Sequence, residues 1–350
     1  MDESREAICE RQGEAGVITL NRPKALNALT LTMVREMRRA LEAWAADPAI
    51  TRVVVEGAGE KAFCAGGDIR QLTEMGQAGR IEEALAFWRE EYQLNAFIKH
   101  FPKPYVSLID GIVMGGGVGV SLHGSHRVAG ERYLFAMPEV GIGFFPDVGA
   151  TYALPRLPGQ SGMYLALTGE RVKRADATML GLATHAVDSR DLPALRAALI
   201  AGEPVEQALA KASADPGAAP FAANMDVVDS CFSADSVEAI LAHLDQAAAE
   251  GSEFAARTVA GVRTKSPTSL CLAFEQVRRG AALDFDEAMK TEFRIVSRIF
   301  EGHDFFEGVR AVIVDKDGQP NWRPASLREV DPAVIDRYFS HLGTHELEIA

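Results

Sequence analysis

The sequence predicts an α/β protein with a helical C-terminal portion. In its first half, short β-rich runs alternate with helical patterns, and this alternation is typical of an α/β core. After about residue 190, Ala-rich helical segments take over. A chain of 350 residues can form one large or two moderate domains. We therefore expect a core over residues 1–190 that carries the functional site, and a mainly helical region over residues 191–350.

Hydrophobic periodicity predicts the elements of the first half. Apolar β-rich runs indicate buried strands, and apolar residues at helical spacing indicate helices. The predicted strands cover residues 16–20, 52–57 and 103–111, with short strands in "HRVAG" and "RYLFAMPE". The predicted helices cover residues 30–46 (with Thr30 as the cap), 81–98, 160–167 and 175–180.

Helix starts are also marked in the second half. Asp235 followed by Glu238 resembles a capping box that opens a helix through His243. Ser266 followed by Pro267 opens another helix, because proline is favoured in the first turn. A helical C-terminal portion is the simplest interpretation of these signals.

Charge and composition count against several classes of function. The formal net charge of -13 gives no general electrostatic support for a nucleic-acid or anionic-membrane partner. No run approaches the ~18 apolar residues that a bilayer span requires. The N-terminal residues contain no apolar or Arg-rich leader pattern, and the cysteines suit a reducing compartment, so we expect a cytoplasmic protein. The four cysteines, Cys9, Cys64, Cys231 and Cys271, are scattered and form no CxxC pair. This argues against a structural zinc site or a disulfide framework.

The common nucleotide and hydrolase signatures are missing. The sequence contains no GxGxxG, Walker A, GxSxG or HExxH motif, which counts against the enzyme classes that use them. His123 and His126 flank Ser125, but no third orienting acid is evident, so we favour helix-end packing over a catalytic pair. Cys64 has no adjacent basic partner, and we expect it to be a small core residue.

Two glycine-rich turns each follow a predicted strand. Considered alone, "AFCAGGDI" is a tight strand-to-helix connection capped by Asp68, and "GGGVG" is equally well explained by close helix packing. Considered together, they can supply two convergent backbone N–H groups, which is what an oxyanion hole requires. A thioester carbonyl is a natural occupant, because negative charge develops on its oxygen during reaction.

Two acids lie in the otherwise apolar run "FAMPEVGIGFFPDVG". An unpaired carboxylate is costly to bury, so Glu139 and Asp147 each need a partner, a shifted pKa or a chemical role. From these residues alone, an ion pair or a cap for Glu139 and a turn position after Pro146 for Asp147 are the simpler interpretations.

The motifs together resemble the enoyl-CoA hydratase/isomerase superfamily, which has the crotonase fold. The resemblance rests on "NRPKALNAL", "AFCAGGDI", "GGGVG" and "EGHDFFEGVRAVIVDKDGQPNW", so it covers nearly the whole chain. It implies repeated ββα units, an acyl-CoA site in residues 1–190, and oxyanion-hole amides at Gly67 and Gly116. It also implies a homo-oligomer, no metal, and no cofactor apart from the CoA of the substrate. Family positions near CoA are matched by Arg22, Lys24, Ala65 and Asp68, although a solvated loop also explains the first two.

One departure from the superfamily indicates a particular branch. Hydratases hold a water between two glutamates, and the first lies three positions after the middle glycine, where this sequence has Gly119. The second glutamate matches Glu139. Without the first, hydration loses half of its acid/base pair. The sequence instead resembles the 3-hydroxyisobutyryl-CoA hydrolase branch of the superfamily. This resemblance rests on the segments "FWREEYQLN", "LFAMPEVGIGFFPDVG", "KSPTSLCLAF" and "EFRIVSRIFEGHDFFEGVRAVIVDKDGQPNWRPASL".

This resemblance implies hydrolysis of a short 3-hydroxyacyl-CoA thioester, with 3-hydroxyisobutyryl-CoA from valine breakdown as the expected substrate. Glu139 is then the carboxylate beside the thioester carbonyl, acting as general base or as nucleophile. Asp147 accepts a hydrogen bond from the substrate's 3-hydroxyl group, and Glu91 and Gly116 complete the acyl-binding positions. Two other interpretations stay open: enoyl-CoA hydration or isomerisation on the same fold, and a non-catalytic acyl-CoA-binding protein.

Overall fold

The computed structural model describes residues 5–349, and within this range ten strands form two mixed sheets. The strands are β1 (Ala7–Gln12), β2 (Ala15–Leu20), β3 (Arg52–Gly57), β4 (Ala62–Cys64), β5 (Tyr105–Ile109), β6 (Ile112–Met114), β7 (His126–Ala129), β8 (Leu134–Ala136), β9 (Val172–Lys173) and β10 (His185–Ala186). The first sheet has the order β1-β2-β3-β5-β7-β10, and the second has the order β4-β6-β8-β9.

Successive strands alternate between the two sheets. The chain passes from β3 to β4, from β5 to β6 and from β7 to β8, so each pair contributes one strand to each sheet. Pairing is parallel within both sheets except for β1 with β2 and β8 with β9. This arrangement confirms the predicted α/β class and its repeated ββα units.

Helices alternate with the strands in the first half, and after residue 190 the described chain is mainly helical. They are α1 (Leu31–Ala46), α2 (Ile69–Gln77), α3 (Ile81–Lys99), α4 (Gly116–Gly119), α5 (Ala150–Ala153), α6 (Ser161–Thr168), α7 (Arg174–Met179), α8 (Leu192–Ile200), α9 (Val205–Ala212), α10 (Met225–Phe232), α11 (Val237–Ala249), α12 (Glu253–Val262), α13 (Pro267–Gly280), α14 (Phe285–Ile299), α15 (Asp304–Val309) and α16 (Pro332–Phe339). No helix of the described residues is long and apolar enough to cross a bilayer.

The four helices predicted in the first half are confirmed to within about one residue at each end. Thr30 caps α1 as predicted, because its side chain accepts a hydrogen bond from the amide of Met33. The cap predicted for α11 is wrong by one residue. Ser236, and not Asp235, accepts the hydrogen bond from the amide of Ala239, at 3.1 Å.

The hydrophobic core joins both halves of the chain. Trp88 on α3 stacks on Phe144 with ring centroids 5.8 Å apart, and Phe305 on α15 lies 6.4 Å from the same tryptophan. A second, smaller cluster lies between the first sheet and helices α8 and α9, where Val54 and Val106 are buried together with Leu199. Helices α8 and α9 therefore pack directly on the strands of the first sheet.

The segment "NRPKALNAL" is tied to the turn after β4. Leu29 and Gly67 form a parallel bridge, and the amide of Ala65 donates to the carbonyl of Leu26. Asn27 is fully buried at φ 57°, and its amide group donates to the carbonyls of Ala58 and Ala62, each at 2.9 Å. Asparagine tolerates this left-handed conformation better than most residues. Asn27 thus fixes the loop that packs against the first glycine turn.

Replacing Asn27 with alanine is expected to lower the free energy of unfolding by about 2–4 kcal/mol, because two buried carbonyls lose their donor. Urea unfolding measures the change. The matched control is Asn321→Ala, since the Asn321 side chain is exposed and should be nearly neutral. A loss for Asn27→Ala no larger than that of the control would contradict this account of the loop.

Candidate active site

A cavity of about 530 Å³ opens where β4, β6 and β8 end. The three strands are parallel neighbours, so their carboxyl ends meet at the same edge of the second sheet. The first turn after β4, the glycines after β6 and the segment after β8 all reach the cavity. Its lining residues include Ala65, Gly66, Gly67, Asp68, Phe87, Trp88, Glu91, Gly115, Gly116, Glu139, Asp147, Lys265 and Val312.

The two glycine turns touch each other at this edge. Gly66 has a φ of 125° and Gly115 a φ of 45°. Residues other than glycine rarely adopt such positive φ angles. A Cβ atom at Gly115 would lie 3.1 Å from the Cα atom of Gly66. Within residues 5–349, the amides of Gly67 and Gly116 have no acceptor, and both residues line the cavity. Both N–H groups are therefore available to one bound ligand.

Glu91 reaches the cavity from the middle of α3. It is 1% exposed, and its Oε1 atom has no hydrogen-bond partner among the described residues. A Cβ atom at Gly116 would lie only 2.5 Å from this oxygen, so the carboxyl group lies directly against the second glycine turn. Burial, followed by the charges of Asp147 and Glu292, raises the pKa of Glu91 well above its usual range.

Glu139 begins a 3-10 turn, Glu139–Ile142, three positions after the last residue of β8. Its Oε2 atom is buried and has no partner in the described part of the chain. A Cβ atom at Gly115 would lie 3.5 Å from its Oε1 atom, so this carboxyl group also faces the glycine turns. Burial, and secondly the charge of Asp147, raises the pKa of Glu139 well above its usual range. The group can therefore hold a proton more readily than an ordinary glutamate.

Asp147 is held by a tyrosine that sequence reasoning missed. Tyr92 on α3 donates a hydrogen bond from Oη to the carboxylate of Asp147 at 2.8 Å. Burial raises the pKa of Asp147 to about 7, and the hydrogen bond from Tyr92 opposes this rise. Trp88, Glu91 and Tyr92 are spaced by three and four positions, so they share one face of the helix. That spacing was the signal that could have found Tyr92.

The position of the first hydratase glutamate has no room for a side chain. A Cβ atom at Gly119 would lie 2.7 Å from Nδ2 of Asn95 and 2.8 Å from Cβ of Val148. Both contacts are shorter than real Cβ atoms show. The packing of Asn95 and Val148 against α4 therefore leaves no space for a glutamate at position 119.

The residues predicted to contact CoA divide into two groups. Ala65 and Asp68 line the cavity, and Asp68 also caps α2 as the simpler interpretation predicted. Arg22 pairs with Asp68 at 3.1 Å and with Glu6 at 3.3 Å. Lys24 is exposed in the 3-10 turn Pro23–Ala25 that follows Arg22. Neither Arg22 nor Lys24 belongs to the lining of the cavity, so their contact with CoA stays a prediction.

Lys265 and Val312 line the cavity without having been predicted. Burial lowers the pKa of Lys265, whose side chain lies near Gly141. Val312 belongs to a π-helical turn, Arg310–Val314, and is 45% exposed. Both residues are distant in sequence from the glycine turns. The only available signal was their presence in the C-terminal segments that carry the family resemblance.

The histidines are arranged differently from the interpretation of the sequence. His126 does have an acidic partner, although none was evident from the sequence. Its Nε2 atom lies 2.9 Å from Oε1 of Glu206, and its Nδ1 atom lies 2.8 Å from Oγ of Ser125. However, Oγ of Ser125 accepts from the amide of Tyr105 and donates to its carbonyl, so the hydroxyl group serves the backbone. Cys64 is buried, and burial raises the pKa of its thiol to about 12, as suits a core residue.

Comparisons with known proteins identify relatives over almost the full chain. The enoyl-CoA hydratase/isomerase family profile matches residues 15–339. The 3-hydroxyisobutyryl-CoA hydrolase, mitochondrial, of Rattus norvegicus is 48% identical over 99% of this chain and 91% of its own length. The Homo sapiens protein of the same name is 45% identical over 99% and 92%. A solved carnitinyl-CoA dehydratase from Mycobacterium thermoresistibile superposes with a TM-score of 0.93, at 42% identity, over 98% of both chains.

These relatives contradict the predicted cytoplasmic location. Both hydrolases are named as mitochondrial proteins. The scattered cysteines indicated a reducing environment, but they do not distinguish one reducing compartment from another. The N-terminal composition likewise carried no information on location.

The buried carboxyl groups should make stability fall as the pH rises. The pKa is raised from 3.8 to about 7 for Asp147 and from 4.5 to about 8 for Glu292. Between each pair of values the folded state holds a proton that the unfolded state releases, so the free energy of unfolding decreases with pH. We expect a shallower decrease in Asp147→Asn between about pH 4 and pH 7. Urea unfolding across this window measures both slopes, and equal slopes would refute the assignment.

Proposed function

Since this chain belongs to the enoyl-CoA hydratase/isomerase family and has its crotonase fold, we infer that it is an acyl-CoA thioester hydrolase. The reaction is hydrolysis of 3-hydroxyisobutyryl-CoA to 3-hydroxyisobutyrate and CoA, a step of valine degradation. The observation that carries this conclusion is the 45% and 48% identity to hydrolases of that name over 99% of the chain. The cavity at the ends of β4, β6 and β8 supports it chemically.

The amides of Gly67 and Gly116 are proposed as the oxyanion hole. Both lack an acceptor in the described chain and both line the cavity, so a thioester carbonyl oxygen can accept from the two together. Such donors stabilise the charge that develops on this oxygen as a nucleophile adds to the carbonyl carbon. Because the glycine turns touch, the two donors are held in place before substrate binds.

Glu139 is proposed as the reacting carboxylate. As general base, it takes a proton from water while the water oxygen bonds to the carbonyl carbon, and the carbon–sulfur bond then breaks. As nucleophile, it forms an acyl anhydride as CoA thiolate leaves, and water then cleaves the anhydride. In the first route the thiolate takes the proton that Glu139 removed from water, and in the second it takes one from the water that cleaves the anhydride, so CoA leaves as the free thiol. The unpartnered Oε2 atom of Glu139 supports both routes, and its raised pKa supports the general-base route, in which the group takes up a proton.

Asp147 and Glu91 are proposed to bind the acyl group. The hydrogen bond from Tyr92 leaves the carboxylate of Asp147 able to accept a second one, and the substrate's 3-hydroxyl group can donate it. Glu91 contributes its unpartnered Oε1 atom beside Gly116. Such a polar site rejects a substrate that lacks the hydroxyl group, because Asp147 is then left buried without that donor.

Hydration of an enoyl-CoA is disfavoured as an alternative. It needs a second glutamate at position 119, and Asn95 and Val148 fill the space which that side chain would occupy. A protein that only binds acyl-CoA is also disfavoured, since a binder gains nothing from a buried, unpaired carboxyl group beside the oxyanion hole.

Two further proposals concern the domain division and the assembly state. We place a core at residues 1–190 and a mainly helical region at 191–350, which is supported by the absence of labelled strands after β10 in the described residues. The division marks a change of element type, because the main core contains residues of both parts. A homo-oligomer is proposed from the family resemblance, and sedimentation analysis would measure its mass.

Glu139→Gln is expected to lower turnover of 3-hydroxyisobutyryl-CoA by about 10²–10⁴-fold, because the amide neither takes a proton nor attacks the carbonyl. Release of free CoA thiol measures turnover, with crotonyl-CoA absorbance followed in parallel. Glu253→Gln is the control, since its side chain is 91% exposed on α12. Near-normal thiol release by Glu139→Gln would remove this residue from the mechanism, and loss of the crotonyl double bond without thiol release would indicate a hydratase.

Asp147→Asn is expected to reduce kcat/KM for 3-hydroxyisobutyryl-CoA by about 10-fold or more relative to isobutyryl-CoA, because a charged acceptor for the hydroxyl group is lost. The two substrates differ only in that hydroxyl group. Thiol release at a series of substrate concentrations gives both constants. Equal losses on the two substrates would deny Asp147 the role of recognising the hydroxyl group.

A further inference from the structure

The turn that carries Asp147 has a strained backbone. Val148, directly after it, has a φ of 54°, and Gly149 has a φ of 92°. A β-branched residue is a genuine outlier in this left-handed region, and such strain costs on the order of 1–3 kcal/mol. A strained turn persists only where its surroundings determine its conformation. The residues that hold residues 146–151 therefore decide where Asp147 lies.

Glu292 on α14 binds this turn through both of its carboxylate oxygens. Its Oε2 atom accepts from the amide of Gly149 at 2.8 Å, and its Oε1 atom accepts from the amide of Thr151 at 2.9 Å. The side chain is fully buried. Burial of a carboxyl group costs free energy unless its oxygen atoms are hydrogen-bonded. The two N–H groups at the start of α5 are matched by the two acceptor oxygens that a carboxylate offers.

Gln276 on α13 binds the same turn from the other side. Its Nε2 atom donates to the carbonyl of Pro146 and, at 2.7 Å, to Oγ1 of Thr151. His123 holds the carbonyl of Val148 at 2.6 Å. Because a carbonyl only accepts, Nε2 of His123 carries the proton, and burial lowers the pKa of this histidine to about 3, so it is neutral. Main-chain groups of four of the six residues in the turn are therefore held by buried side chains.

We propose that Glu292 and Gln276 are positioning residues that hold the Asp147 turn in the conformation that recognises the 3-hydroxyl group of the substrate. This inference rests on the proposed function of Asp147. Neither side chain lines the cavity, so both act on the substrate through the position of Asp147. The C-terminal helices α13 and α14 thereby contribute to the choice of acyl group without touching it.

The test compares 3-hydroxyisobutyryl-CoA with isobutyryl-CoA in Glu292→Gln. The amide has one acceptor oxygen for two N–H groups, and its NH₂ group is placed against one of them. The ratio of kcat/KM values for the two substrates should fall by about 10-fold, mainly through a higher KM for the 3-hydroxy substrate. A purely structural loss would lower the activity on both substrates equally and leave the ratio unchanged.

The matched control is Glu287→Gln on the same helix, where the side chain is half-exposed and pairs with Lys290 at 2.8 Å. This control should keep the wild-type ratio. Gln276→Met, which keeps the length of the side chain and removes the donor, should lower the ratio as well. It gives a second reading if Glu292→Gln does not fold.

The outcomes separate this inference from the proposed function. If Asp147→Asn loses the preference for the 3-hydroxy substrate while Glu292→Gln and Gln276→Met keep it, the positioning role is overturned and Asp147 retains its own. If the wild-type protein shows no preference, the proposed role of Asp147 fails first, and the inference fails with it.

Discussion

The parallel pairing of β4, β6 and β8 is the constraint on which the site depends. It brings three strand ends to one edge of the second sheet, where the chain leaves β4 and β6 through glycine turns and leaves β8 through Glu139. A slip of one residue in β8 would turn its side chains to the opposite face and carry Glu139 away from Gly115. The short strands are therefore less important for their length than for the register that they fix.

The same convergence places like charges together in an apolar interior. Glu91, Glu139, Asp147 and Glu292 are all buried, and the pKa of each is raised by burial, with the charge of Asp147 adding to the rise in the other three. A sequence selected for stability alone would replace such groups with apolar ones. Three of them, Glu91, Glu139 and Asp147, line one cavity, and such a concentration of proton-binding groups is the usual signature of a site that does chemistry.

The sequence predicted those features of the structure that depend on residues close together along the chain. Thr30 as a cap and Asp68 at the start of α2 follow from residues three positions away, and the glycine turns follow from local motifs. Glu292 was missed because its partner Gly149 is 143 positions distant. Val148 was missed for a different reason: its side chain disfavours the conformation that it adopts, so local preference predicts the opposite. The shared cavity of Gly67, Gly116, Glu139 and Asp147 could be predicted through the family resemblance, whereas their chemical roles stay predictions.

The hydrogen bond between Glu292 and Gly149 also sets an order of events during folding. It closes a loop of 143 residues, and closing so long a loop costs conformational entropy that other native contacts must offset. During synthesis, the glycine turns and Glu139 leave the ribosome well before α14 exists. His123 precedes the strained turn at Val148, but Gln276 and Glu292 lie 130 and 143 positions beyond the groups that they bind. A nascent or truncated chain without α13 and α14 therefore lacks part of the support of this turn. With the proposed role of this turn, preference for the 3-hydroxy substrate is expected to be a late marker of native structure in this protein.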